Sequence, residues 1–95
     1  METKKIQSII DKIKTGNVIL TDIELKNGVL FQFSGDYMNV YIGYATIHQY
    51  VGGAPKIEIE KDIWGEESLI IGYNYAKIKP STILTIDTYD NEPEH

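Results

Sequence analysis

Cysteine is absent from the 95 residues, so disulfides, thiolate nucleophiles and cysteine-built zinc sites are excluded. Arginine is absent too: all nine basic residues are lysine. The planar fork that grips phosphates and base edges bidentately is therefore missing, which argues against nucleic acid as a partner. Long apolar runs are also lacking. The longest aliphatic stretches, Val18-Ile19-Leu20 and Leu69-Ile70-Ile71, fall far short of the roughly 20 residues a membrane span needs. The N-terminal residues carry no signal-peptide apolar core. No membrane partner and a cytoplasmic location are expected.

What is present is the composition of one soluble globular domain, 42% apolar and 24% charged, with a net charge of −5. The chain is organised around Leu25-Lys26-Asn27-Gly28, where Asn-Gly between two apolar runs signals a hairpin. A two-residue loop would set Glu24 against Phe31 and Asp22 against Phe33, mixing charge with large apolar groups on one face. A three-residue loop, with Gly28 at positive φ, instead pairs Leu25 with Val29, Ile23 with Phe31 and Thr21 with Phe33. One side of the hairpin is then apolar, and this register is the one predicted.

Residues 1–16 read as a helix. Ile6, Ile9, Ile10 and Ile13 recur at the spacing of one apolar stripe, with Thr3 as the expected cap and Gly16 as the stop. Residues 17–89 read as β structure. The expected strands are Asn17–Leu25, Val29–Ser34, Tyr37–Val51, Lys56–Lys61, Ser68–Lys79 and Thr82–Tyr89. The third is too long to run straight, so a bend at Gly43 is predicted. Residues 90–95 are expected to form a frayed acidic tail. The predicted class is α+β: an N-terminal helix followed by about six bent antiparallel strands, forming a meander or a small barrel in a single domain.

This layout resembles that of the Sm-like (LSm) proteins. Glu24-Leu25-Lys26-Asn27-Gly28 is similar to the turn of their first motif, and Tyr37-Met38-Asn39-Val40-Tyr41-Ile42 is similar to its end. Leu69-Ile70-Ile71-Gly72-Tyr73-Asn74 resembles their second motif. The likeness covers residues 1–79, with Ile71 where the family carries its RNA-contacting arginine. It implies a small barrel assembled into an oligomeric ring that binds RNA or a nucleotide ligand. In that setting Asp36 and Asn39 would read a nucleotide edge, Asn39 offering both a donor and an acceptor.

The residues on their own suggest other sites. Tyr37, Tyr41, Tyr73 and Tyr75 lie at alternate positions of two strands in a chain with seven tyrosines, and tyrosine gives large contact area at small entropic cost. Trp64, the only tryptophan, is rimmed by Asp62, Glu66 and Glu67. It is either an interface anchor with carboxylates steering a basic partner, or a plug for one end of the barrel. His48 has no nucleophile or carboxylate at a catalytic spacing and reads as a half-exposed structural residue. Asp87, Asp90, Glu92, Glu94 and His95 match no calcium-loop spacing and read as solvated.

No nucleophile–base pair, metal cage or phosphate-binding glycine loop is visible, so no catalysis, cofactor or metal is expected. The chain reads as a non-enzymatic binding protein that presents a rigid, acidic, tyrosine-rich β surface to a macromolecule. An inhibitor- or immunity-type contact with a basic protein is the first expectation. Edge-strand pairing into a homo-oligomer fits the same features, and the Sm-like ring is the alternative.

Overall fold

The computed structural model describes residues 1–53, 56–72 and 76–90. Helix α1 spans Thr3–Lys14 and buries Ile6 and Ile10, while Ile9 and Ile13 lie half-buried on its flanks. Each buried isoleucine contributes about 1.5–3 kcal/mol relative to an exposed one. The helix starts after Glu2 in extended conformation without a side-chain cap, so Thr3 is the first helical residue and not the expected cap. Its end follows the sequence closely. Gly16 N donates to Ile13 O and Asn17 N to Lys12 O, the paired bonds of a helix stop, with Gly16 at φ 80°.

Eight antiparallel strands follow among the described residues: β1 Val18–Leu25, β2 Leu30–Ser34, β3 Tyr37–Ile42, β4 Ala45–Tyr50, β5 Ile57–Lys61, β6 Glu67–Ile71, β7 Ala76–Ile78 and β8 Ile83–Asp90. A 3-10 turn at Pro80–Thr82 leads into β8. The strands form two sheets, one in the order β4-β3-β2-β1-β8 and the other β5-β6-β7. The class is α+β, as expected. The sheets do not close into a barrel: β1–β4 and β5–β7 are each an open meander, and β8 returns to lie beside β1.

The β1–β2 hairpin has the register read from the sequence. Ile23 faces Phe31, Leu25 N donates to Val29 O, and Gly28 sits at φ 89°. Two expected strands are in fact two strands each. Gly43, at φ 57°, does not bend a long strand but reverses it with Tyr44, so that Ile42 faces Ala45 and Val40 faces Ile47. The second break lies at Gly72, after which β7 folds back on β6 with Ile78 opposite Leu69. Asp90 ends β8, inside the segment expected to fray; 91–95 lie outside the described residues.

The core lies between the two sheets, with α1 packed against β1 and β5. The inner face of the larger sheet supplies Leu20, Ile23, Leu25, Phe31, Met38 and Val40, and the smaller sheet supplies Ile57, Leu69, Ile71 and Ile78. A register shift between Leu20 and Asp22 lets β1 keep Leu20 and Ile23 on one side, although their spacing is odd. No described helix is long and apolar enough to cross a membrane.

Candidate functional site

Because Val40 and Met38 face the core, Tyr37, Asn39 and Tyr41 stand on the outer face of the larger sheet. The reversal at Gly43 brings β4 alongside, and cross-strand pairing sets Tyr50 beside Tyr37, His48 beside Asn39 and Thr46 beside Tyr41. The Tyr37 and His48 rings stack at 4.4 Å with an interplanar angle of 16°, and Tyr50 meets Tyr37 edge-on at 5.5 Å. His48 Nδ1 donates to Asn39 Oδ1, since an amide oxygen can only accept. Tyr41 Oη donates to Gln32 Oε1 at 3.2 Å, tying the array to β2. Asp22, Gln32, Asn39 and His48 make one polar row across four strands. The face is thus a fixed aromatic platform crossed by amides, with an acidic margin on β1.

A second exposed group sits at the β5–β6 turn. Asp62 Oδ1 accepts from Trp64 N at 2.9 Å and from Glu66 N at 2.8 Å, while Gly65 takes φ 82°. The carboxylate of Asp62 thus holds the loop and is not a free member of the rim. Ile63 and Trp64 stand out at 88% and 81% exposure, so the indole plugs nothing. Glu67 is the first residue of β6 and faces Lys61. Glu66 and Glu67 also border a groove beside the start of α1, with Glu2, Thr3, Pro80 and Ser81.

The structure joins Tyr37 and Tyr41 on one face, and Asp62, Trp64, Glu66 and Glu67 at one turn, but puts the two groups on different sheets. Asp36 occupies the β2–β3 turn, where its backbone oxygen accepts from Val51 N at 2.7 Å and Gly52 N at 3.2 Å. Its part is to tie down the chain after β4. Tyr73 and Tyr75 lie outside the described residues, as do Glu92, Glu94 and His95. Gln32, His48 and Tyr50 belong to the platform but were not expected there. For His48 and Tyr50 the signal in the sequence is a lack of charge: no Asp, Glu, Lys or Arg occurs from Tyr37 to Gly53. Among the described residues no group of three or more His, Asp or Glu gathers as for a metal ion.

In class this is an α+β domain with an open sheet that displays aromatic and amide groups on one face. No protein-family model, no curated protein and no solved structure matches the chain.

Proposed function

We propose that the chain is a non-enzymatic binding protein of the cytoplasm, acting as an inhibitor- or immunity-type factor through contact with a basic protein. The observation that carries this reading is the exposure of Ile63 and Trp64 at the tip of a turn that holds itself in place. Burying two such side chains against a partner supplies apolar area at a site whose backbone is already ordered, so little entropy is lost on docking. Glu66 and Glu67 steer a cationic partner toward the indole, and the platform of Tyr37, Tyr41, His48 and Tyr50 offers a second rigid contact face.

The test is affinity capture with the immobilised chain, followed by kinetics on the captured protein. Trp64→Ala is expected to raise the off-rate at unchanged melting temperature. Glu66→Lys with Glu67→Lys is expected to slow association, more so at low salt. A partner whose off-rate ignores Trp64→Ala contradicts the reading. Micromolar binding of a U-rich single-stranded RNA, steeply salt-dependent and lost in Asn39→Ala, would replace it with the Sm-like alternative.

A further inference from the structure

Sheet edges are where unpaired backbone groups invite another strand, and folded proteins guard them with charge, proline, bulges or shortness. Of the four edges among the described residues, three are guarded. Strand β8 pairs with β1 through two register shifts and carries Asp87 and Asp90. Strand β5 carries Glu58, Glu60 and Lys61, and β7 is three residues long, contains Lys77 and is followed by Lys79 and Pro80. Strand β4 is different. It reads Ala45-Thr46-Ile47-His48-Gln49-Tyr50, has neither an acidic residue, a lysine nor a proline, and pairs with β3 in unbroken register.

The outward groups of β4 can be identified. The two-residue turn makes Ile42–Ala45 a hydrogen-bonded pair, and such pairs alternate along the ladder. Val51 N donating to Asp36 O continues the same alternation past the end of the strand. Thr46, His48 and Tyr50 therefore direct their backbone N–H and C=O away from β3; of these, the Tyr50 carbonyl already accepts from Gln49 Nε2 at 3.1 Å. On the inner side of this edge Ile42 and Ile47, the latter 50% exposed, stand uncovered at the rim of a groove of about 500 Å³, which Lys77 and Lys79 border from the other sheet and at whose base the buried Phe31, Met38 and Val40 lie.

We propose that β4 pairs with β4 of a second copy of this chain, antiparallel about a two-fold axis, to make one continuous sheet. The charge distribution selects a second copy as the occupant. Two chains of net charge −5 repel at most contacts, and Tyr37–Gly53 is a stretch over which they meet without like charges opposed. Self-pairing must also keep the inner face continuous, which requires residues of equal parity to face each other. With Thr46 opposite His48 of the second copy, both outward backbone hydrogen bonds form. Ile47 then meets its own symmetry mate at the rim of the groove, and both aromatic platforms share one side. Closure about the two-fold consumes the edge, so assembly stops at the dimer.

The chain's lack of cysteine makes the register directly testable. In Ile47→Cys the two thiols would lie across a non-hydrogen-bonded pair, with Cα atoms about 4.5 Å apart, inside the roughly 4.4–6.8 Å a disulfide tolerates. The full chain carrying Ile47→Cys is expected to cross-link fully under mild oxidation, whereas Ala45→Cys, set opposite Gln49, remains largely reduced. Sedimentation of the unmodified chain is expected to give a dimer across about 1–100 µM. Thr46→Pro, which removes only an outward N–H, and Ile47→Lys, which sets two ammonium groups face to face, are each expected to raise the dimer dissociation constant at least about tenfold. A monomer at about 100 µM, a polymer larger than a dimer, or equal cross-linking of the two cysteine variants overturns the proposal. So does a dimer indifferent to both edge variants.

Discussion

The turn after β1 and the turn after β5 close with the same pair of backbone hydrogen bonds. In the first, Gly28 N donates to Leu25 O and Leu25 N to Val29 O; in the second, Gly65 N donates to Asp62 O and Asp62 N to Glu66 O. Both place glycine at positive φ in the fourth position, 89° and 82°. The two positions between are left free by this geometry, since a type I turn accepts most residues there. One turn fills them with Lys26 and Asn27, the other with Ile63 and Trp64. The first is also docked on the body, Lys26 N donating to Thr82 O at 2.8 Å, whereas the second is braced by the Asp62 carboxylate. The fold thus requires the glycines, and it makes no use of the exposed apolar pair. A feature that the backbone does not need and the core does not contain is where a contact surface is best sought.

The scale for any change at the turns is set by the core. Ile10→Ala, at a fully buried position against β1 and β5, is expected to cost about 2–5 kcal/mol in denaturant unfolding. A cost below that of the turn variants would show that the helix contributes less than its burial implies. Next in size is the difference between the two turns. Trp64→Ala is expected to weaken partner binding by about 2 kcal/mol or more, roughly 30-fold in Kd, while Lys26→Ala, at the other turn, leaves it unchanged. Gly28→Val and Gly65→Val are expected to behave alike, each losing about 1–3 kcal/mol because a β-branched residue is strained at positive φ. Unequal losses would show that docking on Thr82 or the Asp62 brace matters more than φ. The smallest effects are polar. Asp62→Ala, which removes the acceptor of two amides, should cost about 1–2 kcal/mol, whereas Asn27→Asp, which keeps the oxygen that Val29 N reaches, should stay within about 0.5 kcal/mol.

Much of the first turn was legible in the sequence because a single glycine and the choice of an apolar face together fix a register. The helix stop at Gly16 was legible for the same reason. The reversal at Gly43 was not: one glycine among apolar residues reads equally as a bend. The clue was parity. Val40 and Ile47 lie on opposite parities of a single strand, yet they face each other across a two-residue turn. Missing that reversal hid the platform, because His48 reaches Asn39 and Tyr50 reaches Tyr37 only when β4 folds back on β3. Of the two expected outcomes, meander or small barrel, the barrel did not form: β8 lies beside β1 and β4 pairs only with β3 among the described residues, an arrangement of distant strands that no local pattern encodes. At the second turn the exposed indole was one of two expected outcomes; the hold of Asp62 on Trp64 N and Glu66 N was not foreseen, although Asp at the head of a turn commonly bonds amides a few residues on.

Trp64 is the only tryptophan, so its emission reports on the surroundings of the β5–β6 turn without a label. In the isolated chain a red-shifted emission open to acrylamide is expected, as befits an indole in water. On saturation with the captured partner a blue shift and protection from the quencher are expected. An emission already blue-shifted and protected in the free chain, or one unchanged when the partner is bound, would contradict the assignment of the β5–β6 turn as the contact surface.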